Sequence, residues 1–482
     1  MLQRNILDLI RQVSTNLSAD VTEALLQARD TEAKDSRGKL ALSVVLKNIE
    51  LAKKREVPIC QDTGFPTFFV QAAAFKWAEI EQAILAAVRE ATQKGLLRPN
   101  AVDSLSGKNT GDNTGTGFPK IEFTKILPSL ARRGTVEIDL LLKGGGSENV
   151  SAQISLPLKT DFGPAKRDLE GVQKAVLQIV KAAEGKGCAP GIISVVIGGD
   201  RSSAYALAKK NLLRKIGKEN PDLALQKFEA EILHAANRLN VGPLGLGGKT
   251  TLLDCRVATL HRHPASFFVT VSYLCWAARR GRVVLDEQGK IIENDFAKSV
   301  LNEELKFGEI KKRQLPISET EVRKLKAGEI ISVSGKIFTG RDRVHEYALK
   351  QKLPRELKDS AIYHCGPIAL QKNNEWQFIA AGPTTSARLE NFTPEFIEKT
   401  GVRVLIGKGG MGEETAHALR KFGGVYLHAI GGAAAFYADS IKKVNGVDFL
   451  AEFGMPEALW SIEVEDFLAI VGMDSKGVKL KT

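Results

Sequence analysis

The sequence holds no Cys-x-x-Cys pair: its five cysteines, Cys60, Cys188, Cys255, Cys275 and Cys365, are scattered along 482 residues. An odd, dispersed set in so long a chain excludes a disulfide framework, which belongs to short secreted chains. Aromatic residues are scarce, at 6%, which argues against a platform for stacking bases. No apolar run reaches the roughly 18 residues of a membrane span, so no membrane association is expected. The opening Met1-Leu2-Gln3-Arg4-Asn5 leads into an amphipathic pattern carrying Asp8 and Arg11, without the apolar core and cleavage site of a secretory signal. A cytoplasmic location is therefore expected. Low-complexity segments and internal repeats are also missing.

What is present fits a large globular chain. At about 150 residues per domain, two or three domains are expected. Hydrophobic residues make up 43% and charged residues 26%, enough to bury a core and ordinary for a water-exposed fold. The net charge is +12, with Lys+Arg 68 against Asp+Glu 56. Such an excess attracts anions, and it also suits plain solubility. The basic residues come in short groups such as Lys209-Lys210 and Lys311-Lys312-Arg313, not in the long tract of a nucleic-acid arm. An acidic metabolite fits better than nucleic acid.

Periodicity divides the chain in two. Residues 1 to about 55 read as helices, with Leu7, Ile10, Val13, Leu25 and Ala28 at helical spacing and Asp20 as a start signal. Further helices are predicted over 76–95 and from Asp168 to Glu184, the latter stopped by Gly185. Strands are predicted at Val136–Leu142, Ile192–Ile197 and Phe267–Val271. A composition shift over 281–320, through a Lys/Glu-rich stretch, places a domain boundary near 290. Beyond it strands alternate with helices: Glu329–Gly335, a helix Val344–Gln351, then strands near Ile362–Cys365, Phe378–Ala380, Val402–Ile406 and Val425–His428. The expected fold class is mixed α/β, with an α+β domain over 1–290 and an α/β domain over 291–482.

Four constellations carry candidate chemistry. In Cys60-Gln61-Asp62-Thr63-Gly64 a thiol, an amide, a carboxyl and a hydroxyl precede a turn-forming glycine. The segment also reads as a polar turn with an incidental cysteine. Gly185-Lys186-Gly187-Cys188-Ala189-Pro190-Gly191 surrounds a cysteine with turn residues that would expose its sulfur and bring backbone N–H groups to it. The alternative is a helix-to-strand turn with a buried thiol. His261-Arg262-His263-Pro264-Ala265-Ser266 precedes a strand ending near Cys275, and no carboxylate spacing there supports a zinc site. Three scattered thiolates suit an iron–sulfur cluster, whose fourth iron would stay open as a Lewis acid. Finally, Thr339-Gly340-Arg341-Asp342, Gly382-Pro383-Thr384-Thr385-Ser386-Ala387-Arg388 and Gly407-Lys408-Gly409-Gly410 each present one cation on a turn. Two guanidinium forks and an ammonium suit a dianion.

Taken in order, Cys60-Gln61-Asp62-Thr63-Gly64, Asn109-Thr110-Gly111-Asp112-Asn113-Thr114-Gly115, Lys143-Gly144-Gly145-Gly146-Ser147, Gly382-Pro383-Thr384-Thr385 and Glu452-Phe453-Gly454-Met455-Pro456-Glu457-Ala458 resemble the class I fumarate hydratases. That family consists of [4Fe–4S] hydro-lyases. The resemblance runs through nearly the whole chain, as a fusion of parts that many members carry as separate alpha and beta subunits. It implies an iron–sulfur hydro-lyase domain followed by a swivelling-type domain, and a homodimer. It implies Cys60, Cys188 and Cys275 as cluster ligands, leaving Cys255 and Cys365 structural. It further implies Asp62, His263 and Thr384 as catalytic groups, and Gln61, Arg98, Gly145, Arg341, Arg388 and Lys408 as substrate-binding residues.

The implied reaction is reversible hydration of fumarate to (S)-malate, a step of the tricarboxylic acid cycle. L-tartrate dehydratases and mesaconate hydratases share the scaffold. One methylene is worth only about 1–3 kcal/mol in an apolar pocket, so the substrate rests on few residues. A sensor of iron that binds RNA is the rival from another class. It predicts the loss of proton-transfer groups, whereas Asp62, His263 and Thr384 are all present.

Overall fold

The computed structural model describes residues 1–72, 76–124, 134–296 and 310–480. Helix and strand account for 35% and 29%, so the fold is mixed α/β as the sequence predicts. Two compact units are present, one of residues 1–42 and 62–301, the other of 43–61 and 302–482. Most of the Lys/Glu-rich stretch before residue 310 lies outside the described residues.

The first unit contains two sheets. One has five strands in the order Ile291–Asn294, Arg279–Leu285, Val136–Lys143, Phe65–Ala72 and Lys120–Thr124. Along the Val136–Lys143 strand, Val136, Ile138, Leu140 and Leu142 bury one face with the period of two that a pleated strand imposes. Against that face lie Ile6, Leu9, Ile10 and Val13 of the helix Leu2–Thr15, and Ile80, Ile84, Ala87 and Val88 of the helix Trp77–Gln93. Their three- and four-residue spacing is the apolar stripe of an amphipathic helix. Asp20 lies in the first turn of the helix Ala19–Thr31, at the start the sequence predicts, and also pairs with Arg280.

The other sheet of this unit has the order Ala152–Ser155, Phe268–Leu274, Gly191–Gly198 and Leu252–Leu260. Its one parallel pair, Gly191–Gly198 with Leu252–Leu260, is joined through the helices Arg201–Asn211 and Leu223–Asn237, since parallel neighbours require a long crossover. The helix Leu169–Ala183 packs on the same core. Asp168 caps it by accepting from Gly171 N at 2.7 Å, satisfying one of the N–H groups a helix start leaves open.

The second unit is built on a seven-stranded sheet. Lys311–Gln314, Ile330–Thr339, Ala361–Tyr363, Val404–Gly407 and Val425–His428 run parallel to one another in that order. The long strand Leu459–Met473 pairs antiparallel with both Val425–His428 and Ile330–Thr339, so five strands close on themselves, and Ile441–Asp448 adds an edge. The helices Asp342–Lys350, Thr393–Thr400 and Glu413–Phe422 cover the sheet through Val344, Phe396, Ile397, Ala416 and Leu419. The segment 43–61 is anchored in this unit by Asn48, which donates to Ile59 O at 3.0 Å and accepts from Phe436 N at 3.0 Å. Ala434 N adds a bond to Ile59 O at 3.2 Å. Among the described residues no helix is long and apolar enough to cross a membrane.

Candidate active site

In the first unit the candidate residues gather at the end of the Val136–Lys143 strand. Gly64 has φ +86°, and a Cβ there would lie 2.8–2.9 Å from the backbone of Leu142 and Lys143. Glycine alone lets the two segments touch. This approach delivers Asp62 to the Gly144-Gly145 turn. Its Oδ2 accepts from Gly145 N at 2.9 Å and its Oδ1 from Gly64 N at 3.2 Å, and such N–H bonds favour the ionised carboxylate.

Arg98 arrives beside the same turn. Its N–H donates to Thr63 Oγ1 at 3.0 Å, and its Nε to Asn100 Oδ1 at 2.8 Å. Asn113 braces this loop from within, accepting from Asn100 N at 2.6 Å and donating to Arg98 O at 2.8 Å. Within the glycine-rich Asn109–Gly115 motif, this asparagine does the structural work, fixing the backbone that presents Arg98.

Two cysteines of this unit are brought together. Trp276 N donates to Cys188 O at 3.2 Å, tying the two cysteine segments. Gly187 and Gly191 sit against the Tyr273 ring with no room for a Cβ. Burial, then the charges of Cys188 and Cys275, push the Tyr273 phenol up. The glycines around Cys188 do not expose it as the sequence suggests. Cys188 takes φ +54° and is only 6% exposed. Cys275 is partly open. Lys143, 3% exposed, donates to Glu148 and to Ser151 Oγ at 3.0 Å. Burial pulls its ammonium down to about 8, against the opposing pull of Glu148 and, more weakly, Cys275.

His263 is not brought to this group. It lies in the exposed loop before the strand Phe268–Leu274, whereas Cys275 follows the strand's other end. Seven residues at about 3.3 Å each separate them by on the order of 20 Å. In that loop His263 Nδ1 accepts from Ala265 N at 3.1 Å, and Arg262 ties the turn through three carbonyls.

The second unit gathers the other candidates where its parallel strands end, the edge at which α/β sheets bind ligands. Arg341 follows Ile330–Thr339, His364 follows Ala361–Tyr363, Lys408 follows Val404–Gly407, and His428 ends Val425–His428. Thr384 N donates to His364 O at 2.7 Å, Lys408 N to Thr384 O at 3.1 Å, and Ser386 N to Lys408 O at 2.9 Å. Thr384 and Lys408 are thereby locked side by side. Arg341 contacts Glu457 at 3.0 Å while its Nε is buried without a partner. Arg388, on the short turn of helix Ser386–Leu389, contacts Asp342 at 3.3 Å. Burial pushes the Glu457 carboxyl up, with Arg341 opposing. Cys60 and Gln61 belong to this unit. Cys60 Sγ donates to Gln61 Oε1 at 3.4 Å, and Gln61 Nε2 to Pro383 O at 3.2 Å. Gln61 lies against Gly382, where a Cβ would collide with its amide.

Beneath this edge lies a layer that no sequence motif revealed. His364 Nδ1 meets Ser386 Oγ at 2.8 Å, Tyr426 donates to the same Oγ at 3.2 Å, and the His345 and His364 rings sit edge to face at 5.2 Å. Burial holds His345 and His428 down to about 4, and pushes His364 down as well. All three are neutral at pH 7. Isolated histidines carry no spacing signal, and only the strand ends place them together.

All five cysteines are free thiols. Cys255 is fully buried, and burial pushes its thiol well up, which leaves it inert. Among the described residues no three donors stand ready around a metal ion. Cys188 and Cys275, two unbridged thiols on segments joined by the bond from Trp276 N to Cys188 O, nevertheless fit thiolate ligation by their donor chemistry.

Comparison with known proteins agrees with this picture. A family profile described as "Fumarate hydratase (Fumerase)" matches residues 3–284, and one described as "Fumarase C-terminus" matches 286–482. The chain belongs to the class I fumarate hydratase family. It is 44% identical, over 99% of its length and 95% of the relative's, to a protein of Geobacillus stearothermophilus provisionally named a class I fumarate hydratase. Two Methanocaldococcus jannaschii proteins, provisionally named the beta and alpha subunits of an L(+)-tartrate dehydratase, also match. The first is 45% identical over 33% of this chain and 86% of its own length, the second 36% over 58% and 97%. The protein is thus an enzyme of the hydro-lyase class.

Proposed function

We propose that this hydro-lyase interconverts fumarate and (S)-malate and depends on a [4Fe–4S] cluster. The observation that carries the substrate is the 44% identity spanning 99% of the chain. When bound, the cluster supplies an open iron that polarises the substrate hydroxyl. Cys60, Cys188 and Cys275 would hold it. The chain's own residues do the rest. Arg341, Arg388 and Lys408 receive carboxylates and stabilise the charge that develops when a proton leaves the carbon beside one of them. Arg98, Gln61 and Gly145 N–H add polar contacts. Asp62, held by its two N–H bonds, and Thr384, fixed by backbone bonds on both sides, are the groups assigned to the proton. His263, remote from Cys275 within one chain, is the third group this reading assigns to catalysis. A homodimer in the cytoplasm accompanies this reading.

A second reading, L-tartrate dehydration, is favoured by the 45% identity of the beta-subunit relative over 33% of the chain. Anaerobic reconstitution with iron and sulfide, then assay on malate, L-tartrate and methylmalate, separates the two. Malate is expected to turn over fastest. A faster L-tartrate reaction replaces the first reading with the second, and no chromophore and no activity on any of the three overturns both.

A further inference from the structure

Buried cations in the first unit are matched by carboxylates. Lys143 has Glu148, Arg256 has Asp254, and Arg214 has Glu229. On the strand Arg279–Leu285, the buried Arg280 has Asp20, and the part-exposed Arg282 has Asp139 and Glu137. Arg279, the first residue of that strand, departs from this pattern. It is 1% exposed, and its Nε and Nη1 are buried with no hydrogen-bond partner. No ion pair of Arg279 occurs among the described residues. An unpaired guanidinium removed from water is costly, and its open donors add to that cost.

Its location tells what anion would relieve it. Arg279 Nη2 and Asp62 Oδ2 stand 3.7 and 3.1 Å from one point, the place of a Cβ on Gly144. A side chain at Gly144 would thus crowd both the aspartate and the arginine, which lie near the same point. Asp62 directs its oxygens to Gly64 N and Gly145 N, and the open Nε and Nη1 of Arg279 take no bond from it. Four residues upstream of Arg279 lies Cys275.

We propose that Arg279 is a further substrate-binding residue, whose open donors grip a carboxylate of the dicarboxylic substrate beside Asp62 and Gly145. This rests on the hydro-lyase reading above. The guanidinium pairs with the substrate carboxylate on binding.

The test uses the reconstituted wild-type enzyme and the variants Arg279→Gln and Arg279→Lys, each checked for equal iron and sulfide content. Succinate, a dicarboxylate that cannot lose water, serves as the binding probe. Arg279→Gln is expected to weaken succinate binding and raise KM for malate by at least about 30-fold, as loss of a buried charged donor does. Arg279→Lys keeps the charge but not the fork, and loses about 5–10-fold. Without ligand, Arg279→Gln is expected to melt no lower than wild type, since it removes an unpaired charge, and the stabilisation by succinate is lost. Unchanged succinate binding and KM in the two variants overturns the proposal. So does a ligand-free melting point lowered while binding is preserved, which marks a purely structural arginine. Should Arg279→Gln not fold, Arg279→Lys decides alone: wild-type affinity overturns the proposal, and the stated loss supports it. If the wild type neither binds succinate nor dehydrates any dicarboxylate, the hydro-lyase substrate reading fails first and takes this inference with it.

Discussion

Asp62 owes its direction to two backbone donors, Gly64 N and Gly145 N, that clasp one oxygen each. Asparagine there has the same shape but turns an N–H toward one of those donors, and it cannot take a proton. Asp62→Asn is therefore expected to lower kcat by about 100-fold or more, in the range of general acid–base groups, with KM changed only severalfold. Steady-state kinetics at matched iron and sulfide content checks this, and full turnover would remove Asp62 from the chemistry. The chemical identity of these residues is legible in the sequence, because Cys60–Gly64 and Lys143–Ser147 stand out as turns. Their meeting is not, for the Asp62–Gly145 bond spans 83 positions. Arg279 escapes for a related reason. Its neighbours in sequence are ordinary strand residues, and only the structure shows that its charge is left over.

At the level of turns and strands, Gly407 is the tightest joint of the second unit. A Cβ there would fall on Ser386 Oγ and within 3.1 Å of His364 Nδ1. The turn carrying Thr384 and Arg388 would have to move away from Lys408. Gly407→Ala is expected to cost about 1–3 kcal/mol of stability, as overpacking does, and to raise KM for malate by more than about tenfold. Urea denaturation with parallel kinetics reads both. Gly115→Ala, whose Cβ meets only Thr110 at 3.7 Å, serves as a control expected to change neither. The strands feeding this joint are legible where one residue type dominates. Val425–His428 is found as predicted, and Glu329–Gly335 is found longer, as Ile330–Thr339. The closing strand Leu459–Met473 is not legible. It pairs on both sides and is buried along most of its length, so the period-two signal is erased.

For the molecule as a whole, the buried neutral histidines set the acid limit. His345 and His428 are held down to about 4 by burial, below the ordinary 6.5, so the unfolded chain takes up protons that the folded one refuses. Stability therefore rises with pH across this window and falls as pH drops from about 6.5 toward 4, by on the order of 3 kcal/mol for each of the two. Urea melts at pH 7, 5.5 and 4.5 measure it, and a flat profile between 7 and 4.5 would contradict the burial of these rings.

The anchoring of residues 43–61 within the second unit bears on how such a chain can be divided. The two family profiles meet at residue 285, and in Methanocaldococcus jannaschii the matching parts are two polypeptides. A cut at that point does not separate the compact bodies. It leaves Asn48, Ile59 and Gln61 on the first piece, while their partners Phe436, Ala434 and Pro383 go to the second. Each product would carry an unfinished surface shaped for the other, so dividing this chain there would cut through a folded body, and reassembly of the halves would amount to completing a fold.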